Sequence, residues 1–200
     1  MNKLIFCITI ALSLNSSMIY AQIDLQLETT IKDVVQGFKN RNTSQVQKHI
    51  HTKYGFIYWN KIGVPMDQGV YAKNEFIFPK QGDEPNQWFY ETPKHSQPLI
   101  NTSRLPTMDC ERWNKSGFFY THSVSHPFSD LSKTNQSIIE TSDRELAQQL
   151  KQVQPFERKL VEMQYVGKSR KIGDDLHLFF SYIEGQWYFS ALDNAGQCDA

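Results

Sequence analysis

Residues 174 to 193 read "DDLHLFFSYIEGQWYFSALD", two alternating runs on either side of Glu184-Gly185. Alternation with period two makes a strand, and a two-residue link ending in glycine makes a tight turn, so this stretch folds as an antiparallel hairpin. A regular ladder from that turn sets Tyr182 opposite Trp187, Phe180 opposite Phe189 and Leu178 opposite Ala191. These six side chains share one apolar face, expected to be core or pocket wall. The other face is mixed: Ser181, His177, Gln186 and Ser190 stand among Phe179, Tyr188 and Leu192. The same ladder sets Asp193 opposite Leu176, at the edge of the apolar face. A carboxylate there would have a raised pKa and could serve as an acid or base. The simpler reading is that Asp193-Asn194 ends the strand, since both types bond their local backbone in turns.

A hairpin needs partners, and the rest of the chain supplies them. Leu27, Ile31, Val34, Val35 and Phe38 form a helical stripe, with Lys32, Asp33, Gln36 and Lys39 towards water. "NTS" offers an N-cap at Thr43 or Ser44 for a short second helix, with Val46 and Ile50 on its inner side. "YGFIYWNKIGV" follows as a strand. "GFFYTHSV" is a second, with Phe118, Tyr120, His122 and Val124 on one face. Ser142 and Glu145 have capping-box spacing ahead of Leu146, Leu150 and Val153, which predicts one further helix. "RKLVEMQYVG" alternates Val161, Met163 and Tyr165 against Leu160, Glu162 and Gln164. Between about 65 and 105 lie Pro65, Pro79, Pro85, Pro93 and Pro98, which exclude long central strands. Short edge strands and loops, or a lid over a pocket, fit that insertion.

The expected class is therefore α+β: N-terminal helices gathered on one face of a mainly antiparallel sheet. The opening helix with "VVQGFKNRN", the segment "VQKHIHTKYGFIYW" and the closing "IEGQWYFSALD" resemble the nuclear-transport-factor-like superfamily, which includes ketosteroid isomerase and scytalone dehydratase. The resemblance covers the two ends, about half of the chain after its leader. It implies a cone-shaped domain, a curved sheet around helices. The enclosed apolar pocket would bind a small apolar ligand, or its mouth would form a dimer or protein-binding surface. The acid-base residues of the family's enzymes map onto no motif of this chain.

The N-terminus has the layout of a secretory leader. Lys3 precedes the uncharged run "LIFCITIALSL", and a cut after Ala21 leaves a domain of residues 22 to 200. That run is shorter than the roughly 20 residues a membrane-spanning helix needs, so no stable membrane anchor is expected. Export places the domain in the periplasm or outside the cell. There Cys110 and Cys198 form a natural disulfide, a long closure contributing at most about 4 to 5 kcal/mol. A metal pair or a catalytic thiol are the competing readings. Lys and Arg total 21, as do Asp and Glu, and no basic cluster stands out, so nucleic acid is not an expected partner.

Catalytic signals are weak. His49 and His51 flank Ile50 at a helix end, where that spacing points them apart and leaves them as exposed polar residues. His122 and His126 have a spacing that suits a metal only on a helix, and "THSVSHP" reads as strand and turn. No metal or cofactor is expected. Asp193, His122 and Tyr165 are the candidate acid-base residues of a pocket isomerase, dehydratase or hydrolase. The leading expectation is an exported non-catalytic module binding a small apolar ligand or a protein; a subunit that dimerises through the mixed face is the third.

Overall fold

A computed structural model describes residues 24–60, 67–78, 97–171 and 175–194. Helix α1 spans 24–39 and α2 Thr43–Gln47, followed by strands β1 (Phe56–Asn60) and β2 (Asp67–Tyr71). After a single 3₁₀ turn, Lys73–Glu75, come β3 (Leu99–Asn101) and β4 (Gly117–Thr121). A helical hairpin, α3 (Pro127–Ile139) and α4 (Asp143–Glu157), leads into β5 (Leu160–Val166), β6 (Asp175–Ile183) and β7 (Gln186–Asn194). The seven strands form one sheet in the order β2-β1-β7-β6-β5-β4-β3. Pairing is antiparallel except where β1 runs along β7 and β3 along β4. The α+β class holds, and the sheet is mostly antiparallel.

The closing hairpin turns where expected. Glu184 and Gly185 both adopt positive φ, 51° and 88°, as a tight turn matched to strand twist requires. Tyr182 pairs with Trp187 and Phe180 with Phe189. Beyond that point the expected ladder fails. Phe179 pairs with Ala191, Leu178 with Leu192 and His177 with Asp193, so Ser190 is an extra residue in β7. A bulge of one residue exchanges the faces of everything after it. Ala191 is therefore not part of the wall with Phe189; it packs with Ile57, Trp59 and Phe179 on the opposite face. Leu192 takes its place beside Leu178. Asp193 likewise leaves the apolar face.

Helices cover both faces of the sheet, not one. On the first face Leu27, Ile31, Val34 and Phe38 of α1, with Val46 and Ile50, pack on Phe56, Tyr58, Leu178, Phe180 and Phe189. Phe38, Phe56, Phe76 and Phe189 meet there ring to ring at 5.5–6.0 Å between centroids. The second face is roofed by Phe128 and Leu131 of α3 and by Val153 and Phe156 of α4. Trp59, Phe128 and Phe179 form a triangle of edge-on rings at 5.2–5.4 Å that pins α3 to the sheet.

Helix α3 was not expected. Its sequence, "PFSDLSKTNQSII", is rich in residues that favour turns, yet Pro127 sits at the first turn, where proline fits. Four other details differ. The α2 cap is Asn42, whose side chain accepts from the Gln45 amide, with Ser44 donating to it in turn. Strand β4 stops at Thr121, whose hydroxyl accepts from the Ser123 amide and turns the chain before His122. His51 is 6% exposed, not a surface residue; its ring stacks on Tyr54 at 4.7 Å. His49, half-buried, pairs with Asp33 at 2.6 Å. The capping box of Ser142 and Glu145 forms as expected, and α4 continues through Pro155.

Candidate functional site

One titratable residue from each of three consecutive strands joins a cluster on the second face. Glu162 of β5, His177 of β6 and Asp193 of β7 meet below the plane that α3 and α4 cover. The His177 Nε2 lies 2.6 Å from Glu162 Oε1 and its Nδ1 2.8 Å from Asp193 Oδ2. All three side chains are largely withdrawn from water, His177 most of all. Burial alone would push the imidazole pKa down. The charge and hydrogen bond of Asp193, joined by those of Glu162, outweigh it and carry the pKa to about 10.

That balance decides what the cluster can do. At neutral pH the ring holds both protons and donates one to each carboxylate. It has no lone pair to serve as a base or a metal ligand. The two carboxylates sit on opposite edges of the ring, an arrangement that ties three strands together and does not converge on a shared centre. Among the described residues no grouping of three His, Cys, Asp or Glu side chains could hold a metal. Beside the clamp, Gln164 pairs in register with His177, is 1% exposed, and its Nε2 has no partner among the described residues.

The bulge at Ser190 is what builds this cluster. On a regular ladder Asp193 would face α1, and His177 would have a single carboxylate. The structure thus separates the candidate residues. Asp193 and Tyr165 lie on opposite faces of the sheet, and His122 is exposed beyond β4, its ring 5.7 Å from Tyr120. Nothing brings the three together. The pairing of Cys110 with Cys198 cannot be placed, because Cys198 lies outside the described residues; Cys110 itself is exposed in a turn. The proposed leader and residues 65–66 and 79–96 of the Pro-rich insertion also lie outside them.

The first face ends in a tyrosine-rich rim. Tyr58 Oη accepts from Asn194 Nδ2 at 3.1 Å, and Tyr120 Oη donates to Glu28 Oε1 at 3.4 Å. Burial raises the pKa of Tyr58, Tyr71 and Tyr120 above the usual phenol value. Tyr165, 3% exposed, pairs in register with Phe118 and Leu176. Its hydroxyl has no hydrogen-bond partner among the described residues. The expected wall of Tyr182, Phe180, Leu178, Trp187 and Phe189 belongs to the same face. Most of it is filled: Leu178, Phe180 and Phe189 are each fully buried under α1 and Phe76.

Compared with protein-family models, with curated proteins and with solved structures, the chain finds no match.

Proposed function

We propose that this chain is an exported, non-catalytic module of the nuclear-transport-factor-like type, cone-shaped and curved around α1. Its site is the tyrosine rim, and its ligand is a small, largely apolar molecule offering one hydrogen-bond acceptor to Tyr165 Oη. One observation carries the reading: the Tyr165 hydroxyl, buried and unpaired among the described residues. A buried hydroxyl without a partner costs about 1–3 kcal/mol, which an acceptor on a ligand would recover. The aromatic and aliphatic surroundings, Phe118 and Leu176 in the same register, suit an apolar body around that one polar contact.

The organisation supports the same reading. Two N-terminal helices lie over one sheet face, and the closing hairpin completes it, as the resemblance implies. Export rests on the leader-like N-terminus and on the two cysteines that would remain after its removal. An acid-base enzyme is less well supported, because Asp193 is committed to His177 and stands on the face away from Tyr165.

Native mass spectrometry of the mature protein from its own host tests the proposal. A bound small molecule is expected, and it should be lost or weakened at least about tenfold in Tyr165→Phe, the loss of one buried hydrogen bond. Unchanged retention in that variant, or no small molecule and no saturable uptake of apolar probes, would overturn it.

A further inference from the structure

On the side of the sheet away from Tyr165, the start of α3 and the end of α4 enclose a cleft of about 270 Å³. It is lined by His126, Ser129, Lys133, Gln154, Glu157 and Arg158. The floor is built and closed. Glu157, 7% exposed, accepts from the Ser129 amide at 2.8 Å and from the Ser129 hydroxyl, so a carboxylate of α4 caps the first turn of α3. His126 Nδ1 stands 3.6 Å from the same carboxylate.

The walls are different. The side chains of Arg158 and Gln154 have no hydrogen-bond or ion-pair partner among the described residues. Lys133 is held only by a long contact to Asp130, 3.4 Å, with both side chains more than half exposed. Two full cations and an amide donor thus face a cleft whose one lining carboxylate is already satisfied. Donors outnumber acceptors there. Such a lining suits an oxyanion, and the planar fork of an arginine suits a phosphate or carboxylate in particular.

We propose that this cleft is a binding site for a small molecule carrying a phosphate or carboxylate group. Arg158 takes two oxygens, and Lys133 and Gln154 take the remaining acceptor positions. Glu157 and Ser129 do not contact the anion; they hold the two helix ends at the spacing the cleft requires. The site lies on the opposite face from the tyrosine rim and does not depend on the ligand proposed there.

The test is titration of inorganic phosphate into the ¹⁵N-labelled protein, at constant ionic strength maintained with chloride. Saturating shifts are expected at the amides of Ser129, Gln154 and Arg158. Arg158→Ala should weaken binding at least about tenfold, as loss of a bidentate charged contact does, and Arg158→Lys by less because charge remains while the fork is lost. Lys133→Ala should fall between them. These side chains are exposed, and an unchanged amide spectrum elsewhere would show that each variant keeps its fold. Shifts that rise linearly without saturation, or equal affinity in Arg158→Ala and the parent, would overturn the site. A parallel titration with acetate separates the two sources: saturation by both probes assigns the shared oxyanion chemistry, and saturation by phosphate alone narrows the site to phosphates.

Discussion

Phe189 and Asp193 stand four residues apart on one strand, yet they look out on opposite worlds. Phe189 faces α1 among Phe38, Phe56 and Phe76, on a side whose buried strand residues are almost all apolar. Asp193 faces the side of α3 and α4, where Trp59, Gln68, Ser132, Glu162, Gln164 and His177 interleave polar groups with the aromatic triangle. Trp59 Nε1 donates to Gln68 Oε1 at 2.6 Å, and Gln68 Nε2 donates to Ser132 Oγ at 3.1 Å, linking sheet to helix. The first face is held by shape and area. The second is specified by pairs that work only in one arrangement.

Ser190 is the hinge of that difference, and one more residue after it is the most severe way to break the comparison. An alanine inserted between Ala191 and Leu192, with the bulge kept, would carry Leu192 to the α3 side and Asp193 to the α1 side. A carboxylate would enter an apolar core while His177 lost one of its anions. The expected outcome is no cooperative unfolding transition by circular dichroism. Deletion of Ser190 is the control: it removes the extra residue, leaves Ala191, Leu192 and Asp193 on the faces they now occupy, and should keep a cooperative transition. An insertion variant that unfolds like the parent would show that the frame after Ser190 does not set the faces.

Within the apolar face, Phe189→Ala should cost about 3–5 kcal/mol, the usual range for emptying a fully buried phenylalanine site. Urea denaturation measures it. The ring has four aromatic neighbours from α1, β1, β6 and the segment around Phe76, so little of the space can close. A cost below about 1 kcal/mol would mean the cavity collapses and the face is loosely packed.

The polar face should answer to pH instead. His177→Phe leaves Glu162 and Asp193 without the cation between them. Removing one partner of a buried pair costs about 3–5 kcal/mol; about 2–3 kcal/mol is expected here, because both carboxylates keep some contact with water. The folded imidazole titrates near 10 against 6.5 when unfolded. A raised folded value means that its contribution is complete below the unfolded pKa and lost as pH rises through the folded one. The gap between parent and variant should therefore be widest near pH 6 and narrow steadily towards about pH 10. A gap independent of pH across that window would show that the imidazole is neutral in the folded protein.

How far each face could be read from the sequence follows the same division. The apolar stripes of α1, of Val161, Met163 and Tyr165, and of Phe180 and Phe189 repeat with a single period, and a single period is visible in one dimension. The turn at Glu184-Gly185 is equally local. Ser190 carries no mark of a bulge, since a serine fits either face of a strand, so the frame was lost three residues before the site. The clamp left one usable trace: Glu162, His177 and Asp193 are each a charged or titratable interruption in an otherwise apolar strand. Aligning those interruptions across strands needs the register, which only the folded sheet supplies. Helix α3 was hidden for another reason. Its serines and threonines read as loop, and Ser129 and Ser132 are tolerated in the interior because Glu157 and the Phe128 carbonyl accept from them.

The smallest expected effect is the one that best sharpens the contrast. Tyr165→Phe removes a single oxygen from the face that otherwise tolerates almost no polar groups. If the hydroxyl had a partner inside the protein, its loss would cost about 0.5–1.5 kcal/mol. Because it has none among the described residues, the ligand-free variant should be as stable as the parent, or more stable by up to about 1 kcal/mol. Thermal unfolding of the stripped proteins measures the difference. A destabilised variant would mean that the hydroxyl serves the fold and would remove the reason to read it as a ligand donor in the proposed site. A neutral or stabilised variant that also loses its small molecule would separate the two roles: the ring belongs to the core, and the oxygen belongs to the ligand.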